Sequence, residues 1–383
     1  MKYKIIRVST VPESLETFCK GQLKWLSFEF DIVAVSSPLP QLEIVRKREG
    51  IKTIAVPIER HISLLKDLRG LFMLIKVFHK EKPYIVHSMT PKAGLLSMIA
   101  AWLCRVPVRM HTYTGLVFPT ATGLTQHILI WMDRLLCFCA TYINPEGKGV
   151  ERDLRKFKIT SKPMHIIGNG NVRGIDADYW NPLSYDHIQG DGLITRQKLG
   201  LANDDFIFIF VGRLVGDKGI NELVKAFVKL NRPKVKLLLV GPYESDLDPL
   251  QVETVNEIKS NPDIITTGSQ RDVRPYYALS DVFVFPSYRE GFPNTVLEAG
   301  AMGLPCIVTD INGSNEIVIP EENGVIIPKR NEQALLKMMQ SMMDDNELRS
   351  MMAKKAREMV IDRYEQKYIW GELLKTYNEL TKK

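Results

Sequence analysis

Short, nearly continuous apolar runs of four to six residues alternate along this chain with longer segments whose apolar positions recur every three or four residues, and the whole alternation occurs twice. Runs of the first kind suit strands buried on both faces of a parallel sheet, and segments of the second kind suit helices laid against it. In the first half, strands are predicted at 4–8, 31–36, 53–57, 84–87, 108–112, 141–144 and 164–167. The pattern restarts at 206–211 and continues through 236–240, 264–267, 282–285, 306–309 and 324–327. Helical spacing is clearest at 15–26, 64–82, 94–104, 124–143 and 220–230. Two doubly wound α/β domains follow. Between them, Asn181-Pro182 and Gly190-Asp191-Gly192 carry turn chemistry. The division expected is a first domain over 1–185, a linker over 186–196 and a second domain over 197–362.

Composition narrows the class without changing this picture. A chain of 383 residues with 45% hydrophobic and 25% charged positions can bury a core in each half. The apolar stretch 94–104 falls well short of the roughly 20 residues that a spanning helix needs, so it reads as a core helix. Two segments are amphipathic: 64–82, with Leu65, Leu68, Phe72, Ile75 and Phe78 opposed by Lys66, Arg69, Lys76 and Lys80, and 124–143, with Ile128, Trp131, Leu135, Phe138 and Cys139 beside Asp133 and Arg134. Burial against the sheet is the expectation for both, with membrane contact as the alternative.

The chain starts with a strand-like run that enters a polar turn at 9–14, so no secretory signal is expected. Cys19, Cys104, Cys137, Cys139 and Cys306 show no zinc or redox spacing, which points to reduced thiols in a cytoplasmic protein. Charge is divided unevenly. Residues 1–190 hold 26 Lys and Arg against 16 Asp and Glu, a net +10, and the remainder holds 25 against 28, a net −3. The basic half suits anionic lipid or a phosphorylated acceptor, or it is simply a solvated basic face. Nucleic acid is not expected, because the basic residues are scattered and lack an aromatic recognition motif.

The densest chemistry lies at Arg289-Glu290-Gly291-Phe292-Pro293-Asn294-Thr295-Val296-Leu297-Glu298. The preceding strand makes 288–294 a strand-to-helix loop, with Pro293 suited to the first helical turn and Glu298 about one turn in. Free N–H groups and the positive end of the helix dipole suit an anion there, while the two carboxylates suit neutral hydroxyls. A ligand with both phosphates and sugar hydroxyls fits. Upstream, the 206–211 strand leads into Gly212-Arg213-Leu214-Val215-Gly216-Asp217-Lys218-Gly219, whose fixed cations suit the charge that builds on a departing diphosphate.

These two elements together resemble the signature of the retaining glycosyltransferases of family four, whose fold is GT-B: two Rossmann-like domains facing a cleft. The resemblance implies that Gly212, Arg213, Lys218, Asn294, Thr295 and Glu298 bind the nucleotide-sugar donor, with Glu298 on the ribose hydroxyls, and that Glu290 serves catalysis by bonding donor-sugar hydroxyls. It implies a UDP-linked hexose or N-acetylhexosamine donor, retained configuration without a protein nucleophile, and no cofactor or metal. Gly168-Asn169-Gly170-Asn171-Val172 with Gly174-Ile175-Asp176 is similar to the family element closing the first domain, and the helical segment 363–383 would cross back onto that domain. A bacterial envelope pathway is further implied. Its acceptor would be a polyprenyl-diphosphate-linked saccharide, met by a peripheral protein at the anionic inner face of the plasma membrane.

The chain departs from the family where its histidine is expected. That position is Thr114, in His111-Thr112-Tyr113-Thr114-Gly115, and His111 lies three residues earlier, as an active-site histidine or a structural one. Thr114 is expected to shape the acceptor pocket. The first loop, 9–15, lacks the family's double glycine; Ser9, Thr10 and Ser14 either donate to an acceptor phosphate or cap the following helix. Asp176-Ala177-Asp178 and Asp246-Leu247-Asp248 resemble metal-binding triplets, but neither ends a buried strand, and Arg213 with Lys218 can supply the positive charge instead. A nucleotide-sugar epimerase of the same fold and a non-catalytic nucleotide-sugar-binding protein are the competing classes. A dehydrogenase fits poorly, since no G-x-G-x-x-G follows the first strand of either half.

Overall fold

Nearly every apolar run forms a strand, and the strands away from the sheet edges have side chains buried on both faces. The computed structural model describes residues 2–59, 63–184, 196–244 and 248–382. Of the expected linker over 186–196, residues 186–195 lie outside them. Contacts divide the chain into Met1–Gly174 with Gln366–Lys383, and Ile175–Glu365. Residues 175–184 thus go with the second unit, and the terminal helix from Gln366 with the first.

In the first unit the order is β1 (Lys4–Val8), α1 (Pro12–Phe18), α2 (Gln22–Leu26), β2 (Asp31–Ser36), α3 (Gln41–Glu49), β3 (Lys52–Ala55), α4 (Leu64–Glu81), β4 (Ile85–Met89), α5 (Pro91–Leu103), β5 (Val108–Tyr113), α6 (Gly123–Cys139), β6 (Tyr142–Pro145) and α7 (Lys148–Lys156). The sheet is parallel in the order β3-β2-β1-β4-β5-β6. Right-handed crossovers that run outward from the centre in both directions place successive helices on opposite faces. Accordingly Leu74, Phe78, Met98 and Leu136 of α4, α5 and α6 share one core, and Leu15, Leu23 and Val45 of α1, α2 and α3 share the other.

Three sequence expectations fail here, wholly or in part, each for a local reason. The helix expected over 15–26 is broken at Gly21, which takes φ 78° and faces Trp370 so closely that a Cβ would lie 3.0 Å from its ring. Residues 164–167 form no strand: one bridge from Met164 to Ile143 is made before the chain turns away at Gly168 and Gly170, both with positive φ. Burial of the amphipathic segments holds only for part of each stripe: Phe78 and Cys139 are buried, but most of the other expected positions are not. α4 keeps Leu65, Leu68 and Phe72 exposed, and α6 exposes Ile128, Trp131, Leu135 and Phe138. Their spacing gives each helix a stripe, but α5 lies between them and takes the contacts with both.

The second unit repeats the design with β7 (Phe206–Val211), α8 (Ile220–Leu230), β8 (Val235–Val240), α9 (Val252–Ser260), β9 (Ile264–Gly268), α10 (Arg274–Ala278), β10 (Val282–Phe285), α11 (Asn294–Ala301), β11 (Cys306–Thr309), α12 (Ser314–Ile317), β12 (Gly324–Ile327), α13 (Glu332–Asp344) and α14 (Asn346–Tyr364). Its parallel sheet runs β12-β11-β10-β7-β8-β9. The order reverses between β7 and β10, so the loops leaving these neighbours part in opposite directions and open a crevice at their carboxyl ends.

The last helix, α15 (Gln366–Thr381), completes the first unit. Its Tyr377 is fully buried, with its hydroxyl 2.6 Å from His87 Nδ1 and 3.3 Å from the Arg7 guanidinium. Burial holds His87 well below its usual pKa, with Arg7 and His111 adding to the effect. Replacing Tyr377 with Phe leaves two buried polar groups short of a partner, so urea unfolding of the first unit is expected to lose about 1–3 kcal/mol. An unchanged unfolding midpoint would show that α15 does not anchor there through this network.

Candidate active site

The two sequence motifs occupy the two loops at the reversal point of the second sheet. The loop after β7 runs through Gly212 and Arg213 to a single 3-10 turn, Gly216–Lys218, and enters α8 through Gly219. Gly219 has φ 71°, and a Cβ there would lie 2.2 Å from the Pro286 carbonyl oxygen. Only glycine lets this loop approach the chain leaving β10. Asp248 closes the turn: its carboxylate accepts the Asp217 N–H at 2.5 Å, and its carbonyl accepts Gly216 N–H at 3.2 Å.

The loop after β10 is stitched to the first by charge. Lys218 Nζ pairs with Glu290 Oε1, both side chains being mostly buried. Ser287 Oγ lies 3.0 Å from the same Glu290 oxygen and fixes it from the other side. The Arg289 guanidinium meets Asp217 Oδ2 at 3.0 Å, and Tyr288 N–H donates to the Asp217 carbonyl at 2.8 Å. Arg213 Nη1 lies 2.6 Å from Glu244 Oε2. Burial works against the Arg213 charge, but Glu244, with Asp217 and Glu290 behind it, outweighs burial and raises its pKa.

Helix α11 starts at Asn294, one residue after Pro293; the proline therefore precedes the first turn instead of lying in it, and its carbonyl accepts Val296 N–H at 3.2 Å. Asn294 and Thr295 are half-buried at this N-terminus, and Glu298 is buried one turn in. One crevice edge thus presents two cations, a helix N-terminus and two carboxylates. Ser287 and Glu244 are not marked by the sequence motifs, Asp217 is only a member of the 212–219 motif, and Asp248 stands out in the sequence only as part of a triplet that resembles a metal-binding one. Ser287 directly follows the strand at the motif, which is a readable signal; Glu244 and Asp248 are joined to the site only by folding.

The first unit places its residues at the carboxyl ends of β1, β4 and β5. Ser9 is fully buried, its hydroxyl 2.8 Å from the Val11 carbonyl and 3.1 Å from Ser36 Oγ. Thr10 Oγ1 lies 2.8 Å from Thr90 Oγ1 and accepts Ala93 N–H, which ties the first loop to the start of α5. Ser14 is half-buried in α1. His111 and Thr114 line one cavity with Thr90, Tyr113 and Asp133. His111 is buried, with Nδ1 2.8 Å from Ser88 Oγ, and burial pulls its pKa to about 3. The ring is therefore neutral near pH 7 and can offer a hydrogen bond, whereas proton storage is out of its range. Gly94 makes room for it, since a Cβ there would lie 2.4 Å from the ring. Burial also pushes the Asp133 carboxyl up to about 7, against the Tyr113 hydroxyl.

Asp176 Oδ1 accepts the N–H groups of Asp178 and Tyr179 at 3.1 and 3.0 Å, a turn-capping role. Asp248 is taken by the Gly216–Lys218 turn, and Asp246 and Leu247 lie outside the described residues.

Comparison with known proteins agrees with this geometry. Residues 193–359 match the family model for glycosyl transferases group 1, and residues 22–170 match a glycosyl transferase 4-like domain. The capsular polysaccharide biosynthesis glycosyltransferase CapM of Staphylococcus aureus is 31% identical over 384 residues, covering 99% of this chain and 98% of that protein. An Escherichia coli UDP-Gal:alpha-D-GlcNAc-diphosphoundecaprenol alpha-1,3-galactosyltransferase is 29% identical over 321 residues, 82% of this chain and 80% of its own. In fold, the crystal structure of HepE from Anabaena in complex with UDP superposes with a TM-score of 0.80 at 17% identity, over 99% of this chain and 100% of that one. Matched in both halves, and by a relative along almost its full length, the chain belongs to the family-four glycosyltransferases of GT-B fold that serve bacterial capsule and cell-envelope polysaccharide synthesis.

Proposed function

We propose that this protein transfers a hexose or N-acetylhexosamine from a UDP-sugar, with retained configuration and without a metal, to a polyprenyl-diphosphate-linked saccharide at the inner face of the plasma membrane. The observation that carries the reading is the Lys218–Glu290 pair, because it joins the cationic loop to the carboxylate loop in one crevice. The donor diphosphate lies across Arg213, Lys218 and the N–H groups of Asn294 and Thr295, displacing Glu244 from Arg213. Glu298 takes the ribose hydroxyls and Glu290 the hydroxyls of the donor sugar. As the bond from the anomeric carbon to the β-phosphate oxygen breaks, negative charge grows on that phosphate, and the fixed cations stabilise it. A bond from the acceptor oxygen to the anomeric carbon forms on the same face, and the acceptor proton passes to the departing phosphate. With Arg213 and Lys218 supplying positive charge, the step needs no metal. Thr114, Ser14 and the neutral His111 shape the acceptor side, with Ser9 and Thr10 holding its loop. The E. coli relative, whose name specifies a UDP-galactose donor and a diphosphoundecaprenol-linked acceptor, supports this substrate class.

A panel of nucleotide sugars screened by thermal stabilisation, followed by transfer to a polyprenyl-diphosphate saccharide, tests the whole reading. Stabilisation by UDP-sugars with product on the lipid is expected; interconversion of the donor sugar with no acceptor present would make the protein an epimerase. Arg213→Ala and Lys218→Ala are each expected to cost about 2–4 kcal/mol of transition-state stabilisation, or about 30- to 1,000-fold in rate. Near-normal turnover in both would remove the clamp.

The two glutamates separate by calorimetric titration with UDP. Glu298→Ala weakens UDP binding, whereas Glu290→Ala leaves it nearly intact and cuts transfer; equal weakening would mean that both face the nucleotide. Glu244→Gln removes the carboxylate that competes with the diphosphate for Arg213. It is expected to tighten UDP binding a few-fold, modestly because both partners are partly exposed. Weaker binding in that variant would place Glu244 on the ligand.

A further inference from the structure

The layer formed by α4, α5 and α6 exposes a large apolar surface. On α4, Leu64, Leu65, Leu68 and Phe72 are between 61% and 83% exposed. On α6, Leu124, Trp131 and Phe138 are between 64% and 75% exposed, with Ile128 and Leu135 beside them. Trp102, near the end of α5 and 46% exposed, extends the α6 part of this surface, its ring 6.2 Å from that of Phe138. Single exposed apolar residues are ordinary, but this many on adjoining helices mark an interaction surface.

Charge identifies the partner. Every exposed charged residue of α4 and α6 is basic: Lys66, Arg69, Lys76 and Lys80 on the first, Arg134 on the second. The carboxylates of both helices turn inward. Asp67 pairs with Lys92 at 2.7 Å, Glu81 is buried between Lys4 and Lys52, and Asp133 lines the His111 cavity. Lys66 reaches Glu59 at 2.7 Å, and Lys76 Nζ lies 5.6 Å from the Phe72 ring centre, a flexible stem over an aromatic. A second copy fits this surface badly, since a two-fold interface would set its basic residues against themselves. Apart from Glu59, which is taken by Lys66, the described charged side chains on the exposed faces of α4 and α6 are basic, and apolar and aromatic side chains with such a rim suit an anionic bilayer surface.

We infer that the exposed face of α4 and α6 is the membrane-docking surface of the protein, with Leu65, Phe72, Trp131 and Phe138 entering the headgroup boundary and Lys76, Arg69 and Arg134 meeting lipid phosphates. This rests on the proposed lipid-linked acceptor. Both helices start at the carboxyl edge of the first sheet, where the Thr10, Thr90 and Thr114 loops lie, and the apolar positions of α4 cluster in its first half. Docking there brings those loops to the bilayer.

The test is co-sedimentation of the full chain with vesicles of phosphatidylethanolamine and phosphatidylglycerol, against vesicles of phosphatidylcholine alone. Binding to the anionic vesicles, weakened but not abolished by salt, is expected, with little binding to the neutral ones. L65E/F72E and W131E/F138E are each expected to lower partitioning about ten-fold or more, at unchanged urea midpoint and UDP affinity. Brominated lipid should quench tryptophan fluorescence in the unaltered protein and much less in W131F, a readout that survives if the glutamate variants misfold. Undiminished partitioning in both double variants, absence of quenching, or a lipid-free dimer that those variants dissolve would overturn the assignment. UDP titration separates the two readings: no UDP binding with intact vesicle binding removes the transferase reading and leaves the docking surface.

Discussion

The site depends on one close approach, that of the Gly219 turn to the chain leaving β10. Parallel strands β7 and β10 are neighbours, and their following loops part at the point where strand order reverses. Left alone, such loops would diverge. The missing Cβ at Gly219 lets the first lie against Pro286, and Lys218–Glu290 and Asp217–Arg289 then hold the two together. Each motif gains its chemical meaning from the other.

The same pairing sets the electrostatic state of the crevice. Arg213 and Lys218 would repel if both stood free, and partial burial makes that cost larger than in water. Glu244 and Glu290 offset it, so the loops have a defined shape before any anion arrives. The two carboxylates are not equivalent. Glu290 is held by Ser287 as well as Lys218, and Glu244 is more exposed and held by Arg213. A diphosphate can therefore replace Glu244 at lower cost than it can displace Glu290.

The first unit is built on a different compromise. Its two cores are filled on both faces of the sheet, yet α4 and α6 turn large apolar side chains to water and basic residues to their rim. A helix sandwiched on both sides needs apolar residues all round, and α5 has them; its outer neighbours need only one stripe and carry more than that. The surplus apolar surface is what distinguishes this layer from an ordinary solvated face.

Period and motif in the sequence were enough to determine the class of fold. Twelve of the predicted runs became strands, because a doubly buried strand needs an uninterrupted apolar run whatever its neighbours are. The two loop motifs were legible for a similar reason: Gly212 to Gly219 and Glu290 to Glu298 are contiguous, so their composition already constrains their chemistry. Tertiary structure decided everything that joins distant positions. The break at Gly21 depends on Trp370, the neutral state of His111 on its burial beneath Gly94, the pairing of Arg213 on Glu244, and the place of Asp248 on a turn 31 residues earlier. It also decided which apolar stripes are buried, since periodicity says that a helix has an apolar face and only the packing of its neighbours determines whether that face is covered.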